Sequence, residues 1–143
     1  MLYHQGNDIT SHQVQEGEPF AQEGYALMGA VFEVYNEQGF GVGEEIYQES
    51  LELELAHREI SYSAKPKIQC FYKIHSLKKR YIPDLIVFKE IVVELKAVTG
   101  LNKDHAGQLM NYLRLTKSPI GYLINFGRSG GVEWKRFILS EYL

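Results

Sequence analysis

The chain has 143 residues, of which 45% are hydrophobic and 13% aromatic, enough for one well-filled core and too few for two independent domains. No stretch approaches the roughly 20 apolar residues of a membrane span, and we expect no export signal, because no charged start followed by an apolar core is present. The net charge of −3 and the single cysteine, Cys70, argue against a uniformly basic surface and for a reducing, cytoplasmic compartment.

The charges are unevenly distributed along the chain. Residues 1–59 contain twelve acids and a single base, Arg58, for a net charge of −11, so that residues 60–143 carry +8. Residues 61–83 contain no acid and six bases, namely Lys65, Lys67, Lys73, Lys78, Lys79 and Arg80. These bases could face a polyanion, or they could be solvated lysines that protect strand edges against aggregation. Both interpretations stay open.

The first half of the chain predicts a tail and two helices. Residues 1–22 have no sustained period, and we expect a polar tail that precedes a single domain over residues 23–143. From Glu23 the apolar residues recur at helical spacing as far as Gly39, which predicts a helix that ends at glycine. A second helix is predicted over residues 43–58, with an apolar face opposite many glutamates.

The second half changes its period. Residues 68–74, 81–88 and 91–98 are rich in Ile, Val, Tyr and Phe, which predicts three consecutive strands, the last two forming a hairpin. A helix is predicted over residues 102–116, followed by a strand over residues 120–126 and an edge strand over residues 132–139. From the second helix onward the order of the core is helix, three strands, helix, strand.

Two charged residues, Glu94 and Lys96, interrupt the most apolar of these strands. Alternation along a strand places both side chains on one face. A buried ion pair often only breaks even against apolar residues, so a role other than stability is indicated. The alternative is a purely structural pair at the end of the sheet, joined by Asp84.

Asp84 shares that face only if it lies opposite an even-numbered residue in the antiparallel hairpin, as it would with Ile86 opposite Glu94. A two-residue turn would give the wrong phase. We therefore predict a connection of odd length, such as residues 89–91, or a bulge.

The segment around these residues resembles the signature of the PD-(D/E)XK nuclease superfamily. Pro83 and Asp84 are followed, after nine residues, by Glu94-x-Lys96, and the order of the predicted elements is similar to the superfamily's core. The sequence GVGEEIY at residues 41–47 resembles the motif of the GxxExxY family, and further similar blocks extend over residues 25–139. Gln108 and Tyr112 resemble the Gln-x-x-x-Tyr element of the RecB-like branch.

The resemblance implies an α/β restriction-endonuclease-like core (α-β-β-β-α-β), with a mixed central sheet flanked by helices and an extra N-terminal helix. It implies a metal-dependent nuclease that acts on DNA, with Mg²⁺ or Mn²⁺ as cofactor. The metal ligands would be Asp84, Glu94 and the backbone carbonyl of Leu95, with Glu44 (or, less directly placed, Glu49) as an additional carboxylate. Lys96 would orient the water or neutralise the phosphate. Beside Gln108 and Tyr112, the residues expected at the nucleic acid are Lys73, Lys78, Lys79, Arg80, His105 and Arg114.

Two other classes of protein stay open. One is a nucleic-acid- or protein-binding module that keeps the fold with little turnover, and the other is a homodimeric structural or regulatory protein. The intact set of Asp84, Glu94 and Lys96 favours the enzyme, and we expect replacement of each by alanine to leave the fold intact or more stable. No membrane partner is expected.

Overall fold

The computed structural model describes residues 3–5 and 17–143. The helices are α1 (Ala21–Gln38), α2 (Glu44–His57) and α3 (Lys103–Thr116), and the strands are β1 (Tyr3–Gln5), β2 (Tyr62–Ala64), β3 (Ile68–Tyr72), β4 (His75–Tyr81), β5 (Leu85–Val87), β6 (Ile91–Lys96), β7 (Ile120–Asn125) and β8 (Glu133–Leu139), followed by a 3₁₀ turn, Ser140–Tyr142. Most of the predicted tail lies outside the described residues, but β1 and the first residues of α1 belong to it.

The main sheet has six strands in the order β1-β8-β7-β6-β5-β2. Among the described strands of this sheet, only β6 and β7 run parallel, and α3 connects them, whereas the other neighbours are antiparallel. A parallel pair needs such a crossover because the chain must return to the same end of the sheet. The core order α2, β2, β5, β6, α3, β7 is that of a restriction-endonuclease-like fold with a mixed sheet, as predicted, and α1 is the extra N-terminal helix.

The sheet is covered on both faces, as the apolar character of β6 predicts. Val93 and Leu95 pack with α1 and α2, while Val92 packs with α3. All six residues of β7 are buried, since a central strand covered by helices on both sides has no solvent face. Glu94 and Lys96, which alternate with Val93 and Leu95, therefore lie on the side of α3.

The prediction of the three core strands was wrong in part. Residues 68–74 do not supply the first strand of the main sheet, because β3 pairs with β4 in a separate two-stranded sheet. The first core strand is instead β2, which pairs with β5. The segment predicted as one strand over residues 81–88 is divided between the last residue of β4 and the three residues of β5. Most of the acid-free run, residues 68–81, is therefore an inserted hairpin, while β2 at its start belongs to the main sheet.

Local signals set the helix ends as expected. Gly39 ends α1 with φ of 69° and donates its backbone N–H to Tyr35 O, a left-handed conformation that glycine adopts without strain. At the start of α3, Asn102 accepts a hydrogen bond from the backbone of His105, whose side chain in turn accepts from the backbone of Asn102. Among the described helices, none is sufficiently long and apolar to cross a membrane.

Candidate active site

The antiparallel hairpin of β5 and β6 brings Asp84 and Glu94 together. Leu85 lies opposite Val93 and Ile86 opposite Val92, so the next pair in this register is Asp84 and Glu94. The even-numbered register is confirmed, although Ile86 does not face Glu94. The connection is residues 88–90, an odd length as predicted, and two of its residues, Phe88 and Lys89, have positive φ. No bulge is needed to correct the phase.

Asp84 and Glu94 are joined through the backbone rather than by their side chains alone. The N–H of Asp84 donates to Glu94 Oε1 at 2.9 Å, and the N–H of Leu95 donates to Asp84 Oδ2 at 2.7 Å. Hydrogen bonds to a carboxylate are among the stronger ones in proteins. The two carboxylates are thus held in fixed positions at the point where β5 begins and β6 approaches its end.

Lys96 lies two residues after Glu94 on the same face and is half-buried. Its charge lowers the pKa of both Glu94 and Glu44, so the ammonium acts electrostatically on both carboxylates. Lys96 is paired in the parallel ladder with Asn125 of β7. The three residues of the predicted signature therefore converge at one edge of the sheet.

Glu94 has an unusual electrostatic environment. Burial, and secondly the charge of Asp84, raise its pKa to about 7, although the hydrogen bond from the backbone of Asp84 and the charge of Lys96 act in the opposite direction. The buried hydroxyl of Tyr81 lies close to Glu94, which helps to raise the pKa of Tyr81 further after burial itself. The hydroxyl nevertheless lacks a well-formed hydrogen bond among the described residues. A carboxyl group with a pKa near neutrality is typical of functional sites.

Glu44 approaches from the first turn of α2. Burial raises the pKa of Glu44, and the charge of Asp84 raises it further, whereas Lys96 and Lys65 lower it. Glu44 is therefore the α2 carboxylate that interacts electrostatically with the site, although it is exposed, as Glu49 is. The side chain of Glu44 is not in ligand position, however: within residues 17–143 no three His, Cys, Asp or Glu side chains are grouped closely enough to hold a metal ion.

The donor set nevertheless fits a hard divalent cation. Asp84 and Glu94 offer carboxylate oxygens from adjacent strands, and Mg²⁺ is commonly held by one or two carboxylates while it keeps several waters. Glu44 is then best placed to act through such a water. The roles of these residues as ligands stay predictions.

Two residues of the site were missed by the sequence reasoning. Gln48, only 8% exposed, donates from Nε2 to Asp84 O and to Glu52 Oε2, both at 2.9 Å. Lys65 donates from its backbone N–H to Asp84 O and from Nζ to Asp84 Oδ1, both at 3.0 Å. The position of Gln48, one turn after Glu44 on the same helical face, was a signal that could have identified it.

The loop that follows Lys96 is fixed by Asn125, which is fully buried. Its Oδ1 accepts from Val98 N–H and its Nδ2 donates to Val98 O, both at 2.9 Å, and it also donates to Glu133. Gly127 packs so closely against this loop that a Cβ at this position would collide with the backbone of Val98. The end of β6 is therefore held firmly, although none of these contacts involves the carboxylates of Asp84 and Glu94.

The helix α3 connects to the site through an aromatic stack. Tyr112 packs on Tyr81 with ring centroids 4.0 Å apart and nearly parallel rings, and the hydroxyl of Tyr81 lies beside Glu94. Gln108 is exposed one turn earlier and lines, with His105 and Tyr112, an open groove along α3. The imidazole of His105 accepts the hydrogen bond that caps the helix. Tyr112 is therefore connected to the site indirectly, through its contact with Tyr81. Gln108 lines the same groove as Tyr112.

The predicted basic residues occupy two surfaces. The cations of the β3–β4 hairpin (Lys73, Lys78, Lys79 and Arg80) are all exposed. Lys73 is the only one of them for which the described residues give a specific contact, with its Nζ 5.5 Å from the Tyr72 ring centroid. Arg114 is exposed on α3 and bonds Asn111. Tyr81 is the last residue of β4 and lies three residues before Asp84, so the basic residues of the hairpin and the carboxylate of Asp84 are close in the sequence.

Comparison with known proteins bears on these residues as a group. The chain matches no curated protein and no solved structure. Residues 21–137 match the family model of the PD-(D/E)XK nuclease superfamily, a range that runs from the start of α1 into β8 and includes every residue assigned above to the carboxylate site. With this match over most of its length, the chain belongs to the PD-(D/E)XK nuclease superfamily.

Proposed function

We propose that this protein is a metal-dependent nuclease that hydrolyses phosphodiester bonds, with DNA as its substrate. The observation that carries the proposal is the fixed geometry of Asp84 and Glu94, with Lys96 on the same strand. Membership of a nuclease superfamily supports it. Similarity to the GxxExxY family and to the RecB-like branch is part of the same proposal.

Asp84, Glu94 and the Leu95 carbonyl would hold Mg²⁺ or Mn²⁺, which when bound acidifies a water and stabilises charge on the phosphate. Lys96 would donate hydrogen bonds to the attacking water or to a phosphate oxygen. Glu44 positions a water at the edge of the site. Gln48 holds the backbone of Asp84 in place.

The nucleic acid would lie across the exposed side of α3 and the β3–β4 hairpin. Tyr112 and Gln108 support this path on α3, with His105 and Arg114 on the same helix. Lys73, Lys78, Lys79 and Arg80 supply the positive charge that phosphate contacts require. This local concentration of cations matters more than the net charge of −3, because screening limits the reach of distant acids to about 10 Å.

A binding module of the same fold without turnover is the second candidate, and one observation favours it. Both oxygens of Asp84 already have partners, Lys65 and the N–H of Leu95. Such a carboxylate is satisfied without metal and could serve structure alone. The two candidates differ in whether a divalent cation binds and is required.

The deciding experiment is cleavage of labelled single- and double-stranded DNA and RNA by the purified protein with Mg²⁺, Mn²⁺ or EDTA. We expect products with either metal and none with EDTA. Cleavage by wild-type protein that is lost in Glu94→Gln would assign the activity to this chain. Binding of nucleic acid without metal-dependent products from any substrate would replace the nuclease by the binding module.

A further inference from the structure

Lys65 makes two contacts with Asp84, one through its backbone and one through its side chain. Its backbone N–H donates to Asp84 O at 3.0 Å, which fixes the main chain after β2 beside the site. Its Nζ lies 3.0 Å from Asp84 Oδ1, and the side chain of Lys65 is 59% exposed whereas that of Asp84 is 16% exposed. The main chain of Lys65 is therefore held at Asp84, while its ammonium, at the end of a long and flexible side chain, lies at the protein surface.

The backbone of Lys65 is strained. Its φ of 48° lies in the left-handed region, where a residue with a Cβ is disfavoured and glycine is not. The following residue is Pro66, which restricts the conformation of Lys65 further. Strain of this kind, next to two carboxylates, is a reason to ask what the lysine does there.

The charges at the site make the position of Lys65 informative. The carboxylate of Asp84 acts electrostatically on both Glu94 and Glu44, and Lys96 and Lys65 are the cations that act on Glu44. A divalent cation bound to Asp84 Oδ1 would compete with the ammonium for the same oxygen. Two cations on one carboxylate oxygen repel each other strongly, so one of them must leave.

We propose that Lys65 is an exchangeable counter-ion of the metal site. Without metal its ammonium neutralises Asp84; when a divalent cation binds Asp84, the ammonium moves to a phosphate oxygen of the nucleic acid bound beside it. Because the main chain of Lys65 remains bonded to Asp84 O, the displaced ammonium stays near the reacting phosphate. The inference rests on the proposed function, since it requires both a metal at Asp84 and a phosphate substrate.

The test is to measure metal binding and DNA binding separately in the variant Lys65→Met, which keeps the apolar stem and removes the charge. Isothermal titration with Mn²⁺ should show affinity higher than wild type by roughly threefold to tenfold, because a competing charge is gone. Affinity for a labelled DNA duplex in Ca²⁺ should fall by a similar factor. Lys67→Met, which removes an exposed lysine two residues away, should leave Mn²⁺ affinity unchanged.

These opposite changes distinguish exchange from a structural role. If Lys65 only holds Asp84 in place, Lys65→Met weakens Mn²⁺ binding or leaves it unchanged, and the inference is overturned. Lys65→Gly, which also relieves the strained backbone, provides a second variant with the same expected gain in Mn²⁺ affinity. If the wild-type protein itself binds no Mn²⁺, the proposed function fails and the exchange fails with it, whereas loss of the gain alone overturns only the exchange.

Discussion

The β5–β6 and β3–β4 hairpins both carry charged residues, and the surroundings of these charges differ. In the β5–β6 hairpin, Asp84 and Glu94 are partly buried and their polar atoms have specific partners. In the β3–β4 hairpin, the cations are exposed and only Lys73 has a contact that the described residues specify. Charges of the first kind must be matched atom by atom because they have lost water, whereas those of the second kind act at a distance and are screened by salt.

The largest expected effect comes from the buried hairpin. Asp84→Asn should reduce metal-dependent cleavage roughly 10³-fold or more, since it removes a charged ligand while its amide oxygen can still accept from Leu95. Steady-state cleavage rates check this, with Glu90→Gln at the exposed end of the same hairpin as control. Full activity in Asp84→Asn would end the assignment of the site.

The structure changes one expectation for the same residue. Alanine at position 84 leaves the N–H of Leu95 without its acceptor and should therefore destabilise the protein by about 1–3 kcal/mol, rather than leave it intact or more stable. Urea denaturation of Asp84→Ala and Asp84→Asn compares the two. Equal stability of both variants would show that this hydrogen bond contributes little.

A third prediction concerns pH and Glu94. Its pKa is raised from 4.5 to about 7, so its contribution to stability is greatest below pH 4.5 and is lost as the pH rises through 7. In EDTA, Glu94→Gln should therefore be more stable than wild type by roughly 1–3 kcal/mol at pH 8, with little difference at pH 4. Urea denaturation at both values measures it. A difference in stability that does not change with pH would show that ionisation of Glu94 is not its cause.

A smaller effect on cleavage is expected from replacing Gln48, which donates a hydrogen bond to the backbone carbonyl of Asp84. Gln48→Leu removes one of the two donors to Asp84 O and should lower kcat about tenfold, with KM for DNA unchanged, because Asp84 shifts while the DNA surface does not. Gln38→Leu removes a comparable bond to Ser50 at the end of α1 and serves as the control. A rise in KM alone would place Gln48 in substrate binding instead.

The smallest effect on stability is expected from substitutions in the exposed β3–β4 hairpin. Reversing the charges in Lys78→Glu/Lys79→Glu should leave stability within about 0.5 kcal/mol of wild type. It should flatten the dependence of DNA affinity on salt, because each lost phosphate contact reduces the slope by about 0.9. Fluorescence anisotropy at several salt concentrations checks this, with Lys89→Glu as the control. An unchanged slope would make the hairpin lysines ordinary surface residues.

Local patterns in the sequence were sufficient for most of the architecture. The three helices and the bounds of strands β6, β7 and β8 were predicted within a few residues, since periodicity and end signals such as Gly39 act over one or two turns. The prediction that the last strand lies at an edge of the sheet was wrong, because β1 pairs with the outer side of β8. The shared face of Glu94 and Lys96 is also local, because strand alternation alone decides it. The odd number of residues between β5 and β6 was also predicted, from the requirement that Asp84 share a face with Glu94 and Lys96.

The strands between residues 61 and 83 were different. The first six residues of β4 are exposed, and β2 has only three residues, so neither shows the alternation that marks a half-buried strand. Which sheet a short strand joins depends on pairing with distant partners, such as β2 with β5. Periodicity within the strand carries no information about that choice.

Glu94 and Lys96 could be singled out from the sequence because charges within an apolar strand stand out wherever the strand is placed, and Asp84 was added because Pro83-Asp84 resembles the superfamily's signature. Gln48 was marked only by its helical spacing from Glu44, and the hydrogen bonds of Gln48 and Lys65 could not be assigned from the sequence, since they reach the carbonyl and the carboxylate of Asp84, 36 and 19 residues away. Such bonds are directional and act only within about 3 Å. Only the packing of α2 and of the chain after β2 against the site brings those atoms into that range.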